Sequence, residues 1–325
     1  MKSLEEGLGV LVTGGAGYVG NQLSAKLAAE HHTVVSLYRH KLPQLGENIF
    51  PVCSDLSSEE LLAAPLRGIK TVVHLAWDQN FIGQTLDQDQ TKIPRTNNLT
   101  CLAHLLAAME KAKTKRIIFQ SVLGASRTSK DPFLREKYWG EYLCLNSNIE
   151  ERVIVRGSLL FGRHSKFTES IKNLMRIPGV YPLPKIKEEL RPLHVDDLIS
   201  FLTSLTKVQL NKPFSLIEIS GQTPYTLDFI FKTVSEGMGK GGKIALPGVF
   251  GRLVFPFLEK DSSSKQKGLV KIGNLLNLGK APKDYTRLEN PLVSLLPTEK
   301  MNFEQVIKRE SLSHRDGLKA IPPSV

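Results

Sequence analysis

Residues 9–20 of this chain read Gly-Val-Leu-Val-Thr-Gly-Gly-Ala-Gly-Tyr-Val-Gly, an apolar run that breaks into Gly14, Gly17 and Gly20 at three-residue spacing. The residues after it carry apolar positions at Leu23, Leu27 and Ala28, the repeat of a helix. A buried strand, a glycine turn and a helix are therefore expected in that order. Each glycine has a physical task in such a unit: Gly14 makes the tight turn, Gly17 leaves room for a pyrophosphate to approach the backbone, and Gly20 lets the helix pack closely on the sheet. The helix N-terminus directs unpaired N–H groups and the positive end of its dipole at the phosphates. The expected dinucleotide cradle is Gly14, Ala16, Gly17, Tyr18, Val19 and Gly20. The alternative is a glycine-rich turn without a ligand.

The strand–helix alternation continues down the chain. Strands are expected at 33–38, 49–53, 71–76, 116–121 and 152–156. Helices are expected at 57–64, 97–111 and 133–145. This order predicts an α/β fold, a doubly wound parallel sheet covered on both faces. After Gly162 the pattern loosens, with helices expected at 166–175, 196–205 and 227–237 and a strand at 214–219. Residues 78–95 read as a long polar loop. The expected division is a Rossmann core over 1–162, to which elements near 192–237 return, and a smaller C-terminal substrate lobe over 163–191 and 238–325.

With 325 residues there is material for both parts, and no apolar run is long enough to span a bilayer. The start of the chain matches neither a secretory signal nor a transit peptide, and three scattered cysteines fit buried reduced thiols, so a cytoplasmic protein is expected. The net charge is +11, and residues 240–325 hold 15 Lys/Arg against 8 Asp/Glu. No basic run with interleaved aromatics appears there, so no nucleic-acid partner is expected. Contact of this basic tail with a membrane or a protein is the open alternative to a solvated surface. The stretch 245–258 is too short and too broken by Pro and Gly to span a bilayer, and it reads as a packed lid.

The end of the second strand should meet the adenosine ribose, where an acidic side chain would bind the 2′-hydroxyl of NAD. Here the sequence is Tyr38-Arg39-His40-Lys41, with no carboxylate until Glu47. Arg39, helped by Lys41, suits a 2′-phosphate. NADP(H) is therefore favoured, with NAD(H) as the alternative and a solvated basic turn as the reading without a ligand.

Seven ordered landmarks over about residues 8–240 resemble the extended and atypical short-chain dehydrogenase/reductases, the NAD(P)-dependent epimerase/dehydratase family. They are TGGAGYVG at 13–20; Ser54-Asp55-Leu56; Val73-His74-Leu75-Ala76 at a strand end; Asn97 opening a helix; the stretch around Lys137 and Glu141; Arg156-Gly157-Ser158-Leu159-Leu160-Phe161-Gly162; and Arg191-Pro192-Leu193-His194-Val195-Asp196-Asp197. The resemblance implies cofactor contacts at Asp55, Leu56, Leu75, Ala76, Asn97 and Lys137. Asp55 and Asn97 also read as plain helix caps, His74 as a core histidine, and His194 and Asp196 as structural.

The family's chemistry uses Tyr and Lys four residues apart on one helix face. The Lys holds the nicotinamide ribose and the Tyr moves a proton. The matching stretch is Phe133-Leu134-Arg135-Glu136-Lys137, so the Lys is present and Phe133 stands at the Tyr position with no titratable oxygen. Tyr138 lies about 140° around the helix from Phe133 and should point elsewhere. Ser121 is the candidate catalytic hydroxyl, although the usual active position appears as Val122. The pattern is similar to the atypical branch that includes the NADPH-binding accessory subunit of mitochondrial complex I. Two functions follow: an oxidoreductase on a carbonyl or sugar-like small molecule, or a non-catalytic structural, assembly or redox-sensing protein with no substrate. Arg163, Lys166 and Arg191 are candidates for an anionic substrate, or are solvated charges.

Overall fold

The computed structural model describes residues 9–78, 92–174, 180–182, 189–210, 212–238, 244–246 and 303–307. The chain divides into two compact units. Of the described residues, the first takes 9–157 and 196–219, and the second takes 158–195, 220–246 and 303–307.

The first unit is built on seven parallel strands: β1 (Gly9–Thr13), β2 (Thr33–Tyr38), β3 (Ile49–Cys53), β4 (Ile69–His74), β5 (Arg116–Val122), β6 (Glu151–Gly157) and β10 (Phe214–Ile219). Their spatial order is β3-β2-β1-β4-β5-β6-β10. The winding direction reverses between β1 and β4, which opens a crevice at the carboxyl ends of those two strands. The helices are α1 (Tyr18–Ala29), the one-turn α2 (Glu60–Ala63), α3 (Asn97–Lys111), α4 (Pro132–Leu145) and α6 (Val195–Lys207). The doubly wound parallel sheet expected from the alternation is the fold observed. Leu11, Val72, Leu102, Leu105, Ile117 and Phe119 are fully buried between the sheet and its helices.

Several boundaries differ from expectation for local reasons. β4 stops at His74 because the amides of Leu75 and Ala76 turn to Thr13 Oγ1, at 3.1 Å each, instead of to a neighbouring strand. α2 begins later than the serines at 57 and 58 suggest. The Ser57 amide is held by Asp55 Oδ1 at 2.9 Å, and Leu56 adopts φ +61°, which no helix start tolerates. β3 is an edge strand whose free side is blunted. Asn48 O accepts from the Val34 amide and the Ser54 amide donates to Tyr38 O, so Ile49, Pro51 and Cys53 face outward. The Ile49 amide is taken by Gly46 O and Pro51 has none, which discourages pairing with a further strand.

α6 is fastened to the sheet by one buried cation. Arg116 on β5 pairs with Glu151 and donates to Leu205 O (2.7 Å) and Val208 O (2.8 Å) at the far end of α6.

The second unit contains β7 (Leu160–Phe161) beside β9 (Leu193–His194), α5 (Lys166–Leu174), α7 (Leu227–Gly237), and the pair β8 (Val180–Pro182) with β11 (Ile244–Leu246). Its core is aromatic. The ring of Phe303 lies 5.2 Å from Phe161 and 5.7 Å from Tyr225, and His194 meets Phe161 edge-on at 5.0 Å. The short strands were not legible as periodicity, since two or three residues carry none. Most of the loop expected at 78–95, nearly all of the lid expected at 245–258 and most of the basic tail lie outside the described residues. Among the described residues, no helix is long and apolar enough to cross a membrane.

Candidate dinucleotide site

The glycine turn joins β1 to α1 at the crevice. Gly14 has φ +68°, and a Cβ there would stand 3.0 Å from the backbone of Ala76. A Cβ on Gly20 would come to 2.2 Å from Gly14 O, so the third glycine seats α1 against the turn itself rather than against the sheet. Gly17 is the N-cap of α1. No side chain caps that end and no acidic residue stands in the first turn. Ala16, Gly17, Tyr18 and Val19 are at least partly exposed. An open, acid-free helix start with close backbone access is what a pyrophosphate requires, so the residues present fit a dinucleotide.

Thr13 organises the strand ends around this turn. Its Oγ1 accepts from the Leu75 and Ala76 amides and therefore donates its own proton to His74 Nδ1 at 2.8 Å. The His74 proton then sits on Nε2, which is buried with no partner among the described residues. Burial, aided by the nearby Lys137 charge, holds the imidazole pKa down at about 3. His74 is thus a neutral core histidine, stacked on Phe119 at 5.8 Å. Leu75 and Ala76 form one wall of the glycine turn, with their amides already engaged.

On the β2 side, Arg39 is half exposed and its guanidinium lies 3.9 Å from the Asp78 carboxylate. Asp55 is exposed, and hydrogen bonds from Ser57 hold its carboxyl below the usual range, with a smaller contribution from the Arg39 charge. The buried Leu56 carbonyl accepts from His104 Nδ1 at 3.3 Å, which fixes this ledge to α3. Asn97, expected as a cofactor contact, is exposed on the first turn of α3. The buried amide is its neighbour Asn98, which accepts from the Asp78 amide (2.8 Å) and donates to Asp78 O (3.0 Å) and Glu136 (3.0 Å). Thr96, not Asn97, caps the helix. The doubled Asn97-Asn98 hides this in the sequence, because only the phase of α3 against the sheet separates the two.

On the β5 side, Phe133 and Lys137 lie one turn apart on α4, as their spacing predicts. Asp131 caps that helix by accepting from the Phe133 amide at 2.9 Å. Lys137 is only 5% exposed. Its ammonium donates to Gln120 O at 2.9 Å and lies 4.0 Å from the Trp77 ring centre and 5.0 Å from that of Phe119. Burial pulls its pKa down to about 7, against the opposing pull of Glu136 and Glu141. Trp77 Nε1 donates to Glu136 at 2.9 Å, and Gly140 admits the indole, since a Cβ there would meet Trp77 at 2.9 Å and Phe119 at 2.8 Å. Glu136 is fully buried, and desolvation raises its pKa against the hydrogen bonds it accepts. Ser121 donates to Glu141, which Arg156 grips with two bonds at 2.7 and 2.9 Å; Arg156 also reaches Glu218 at 3.1 Å. Tyr138 is half buried with its ring edge-on to Trp139. Sequence reasoning placed Glu141 beside Lys137 in the family pattern but missed Trp77, Asn98 and Glu136, whose roles exist only through tertiary contact.

In the second unit, Arg191 donates to Gln222 O, and Arg163 is exposed. Asp196 is exposed and Asp197 buried at the start of α6.

A doubly wound parallel sheet with an uncapped glycine turn at its switch point defines the class of dinucleotide-binding α/β proteins. Residues 10–207 match the model of the NAD dependent epimerase/dehydratase family, and the chain belongs to that family. It is similar to NADH dehydrogenase [ubiquinone] 1 alpha subcomplex subunit 9, mitochondrial, of Dictyostelium discoideum, at 24% identity over 249 residues, 74% of this chain and 67% of that protein. An uncharacterized protein of Mycobacterium tuberculosis is 26% identical over 188 residues, 58% of this chain and 19% of that protein. Among solved structures, a UDP-glucose 4-epimerase from Thermotoga maritima superposes with TM-score 0.67 at 19% identity, covering 96% of this chain and 100% of that one. MoeE5, bound to UDP-glucuronic acid and NAD, gives 0.66 at 19% identity, covering 95% and 99%. These likenesses concern the fold.

Proposed function

We propose that the chain binds NADP(H) at the glycine turn and Arg39, and that its primary activity is this binding. The observation that carries the choice of NADP(H) is Arg39. It follows the last residue of β2, half exposed, where NAD-specific sites place a carboxylate, and a guanidinium there pairs well with a 2′-phosphate. The NAD held by MoeE5 supports a nicotinamide dinucleotide in general. Bound NADP(H) would supply or accept a hydride.

Family membership itself favours oxidoreduction of a carbonyl or sugar-like substrate. Phe133 favours the other use, a nucleotide held for structure, assembly or sensing, because no proton leaves or reaches a phenyl ring. Ser121 and Lys137 strengthen this reading, since the hydroxyl is committed to Glu141 and the ammonium is enclosed. The relative named as an NADH dehydrogenase subunit supports a place in an assembly. The basic 240–325 segment would then serve as the contact with a protein or a membrane. The three cysteines are free, although only Cys144 is buried as expected while Cys101 is partly exposed and Cys53 exposed; free thiols suit a reducing compartment, the cytoplasm in this reading. Calorimetric titration with NADPH, followed by absorbance of the bound cofactor over a panel of carbonyl compounds, separates the uses. Binding with steady absorbance supports the non-catalytic one, and substrate-dependent oxidation supports catalysis.

A further inference from the structure

The polar groups on the two sides of the switch point are in opposite states. A dinucleotide lying across the crevice puts its adenosine toward β2 and β3, and its second nucleotide over the ends of β4 and β5. On the β2 side the groups face outward: the open start of α1, the half-exposed Arg39 and the exposed Asp55. On the β5 side, among the described residues of β5 and α4, they are spent internally. Lys137 donates a hydrogen bond to Gln120 O and is covered by two aromatic rings. The covering Trp77 is fastened by Glu136, Glu136 by Asn98, and Asn98 by the backbone of Asp78, with bonds of 2.8–3.0 Å throughout. Ser121 is closed into the Glu141–Arg156–Glu218 chain. Phe133 offers no donor or acceptor. Freeing Lys137 for a ribose would break a buried hydrogen bond and lift a cation off an aromatic face.

Resting on the nucleotide-binding reading above, we infer that the site recognises a 2′-phosphorylated adenosine diphosphate and leaves the nicotinamide unread. The ligand class is wider than NADP(H), and the protein holds oxidised and reduced cofactor alike. This removes redox sensing from the uses of the site and leaves a structural or assembly role.

The test is calorimetric titration of the full chain with NADPH, NADP+ and the nicotinamide-free 2′-phosphoadenosine diphosphoribose, with NADPH emission recorded in parallel. The expected result is three dissociation constants within about fivefold of one another, a spread of about 1 kcal/mol, and NADPH emission unchanged from that in buffer. A larger loss on removing the nicotinamide, a larger difference between NADPH and NADP+, or enhanced, blue-shifted emission overturns the inference while leaving nucleotide binding intact. Failure of all three ligands to bind overturns both the inference and the reading beneath it.

Discussion

His74 and Arg39 carry the residue-scale consequences. His74 has its pKa depressed to about 3 in the folded chain against an ordinary 6.5. The unfolded chain therefore binds a proton first as the pH falls. The stability contribution is complete above pH 6.5 and is lost as pH falls toward 3. By pH 4 the loss from this group reaches about 3 kcal/mol. Urea unfolding of the wild type and of His74→Gln across pH 7 to 4 should show the steeper decline in the wild type; parallel declines would remove the effect from His74. Arg39→Ala should weaken NADPH about tenfold or more, the value of a charge-assisted bond, and leave NADH nearly unchanged. Asp78→Asn should tighten NADPH by at most about fivefold, since it removes an exposed competitor for the same guanidinium. Titration calorimetry reads both. The Arg39 position was legible in the sequence because it depends only on which residue ends a strand. Asp78 was not, because its meeting with Arg39 across the crevice is a product of the fold.

At the scale of elements, the glycine turn and α6 make separate demands. Gly20→Ala puts a methyl 2.2 Å from Gly14 O, so α1 must leave its seat. A cost of about 3 kcal/mol or more is expected, with loss of NADPH binding in whatever remains folded. Arg116→Ala leaves two carbonyls at the end of α6 without their donor and Glu151 with Lys115 alone, at 3.5 Å, and should cost about 3 kcal/mol in denaturant unfolding. The elements themselves were largely readable. The strand–turn–helix at 9–29, the parallel alternation and the helices at 97–111 and 227–237 follow from periodicity and caps. What escaped was decided by side-chain closure. β4 ends where Thr13 captures two amides, α2 is delayed by the turn at Asp55, and the buried, hydrogen-bonded asparagine is the second of a pair. β7 and β9 are two residues each and pair only because the fold brings them together.

At the scale of the whole molecule, a family fold is retained and its site is divided. The nucleotide-binding parts are near-local features, a turn, a helix start and one strand end, and the sequence carries them openly. The departure from the family motif was visible at one position, Phe133, while the enclosure of Lys137 by Trp77, Glu136 and Asn98 required residues from the segment after β4, from α3 and from α4 to converge. The most direct test of the central claim is calorimetric titration of the purified chain with NADPH and with NADH. One site per chain with NADPH bound at least about tenfold more tightly than NADH is the predicted result. Equal affinity for the two would contradict the role of Arg39, and no heat with either would contradict nucleotide binding itself.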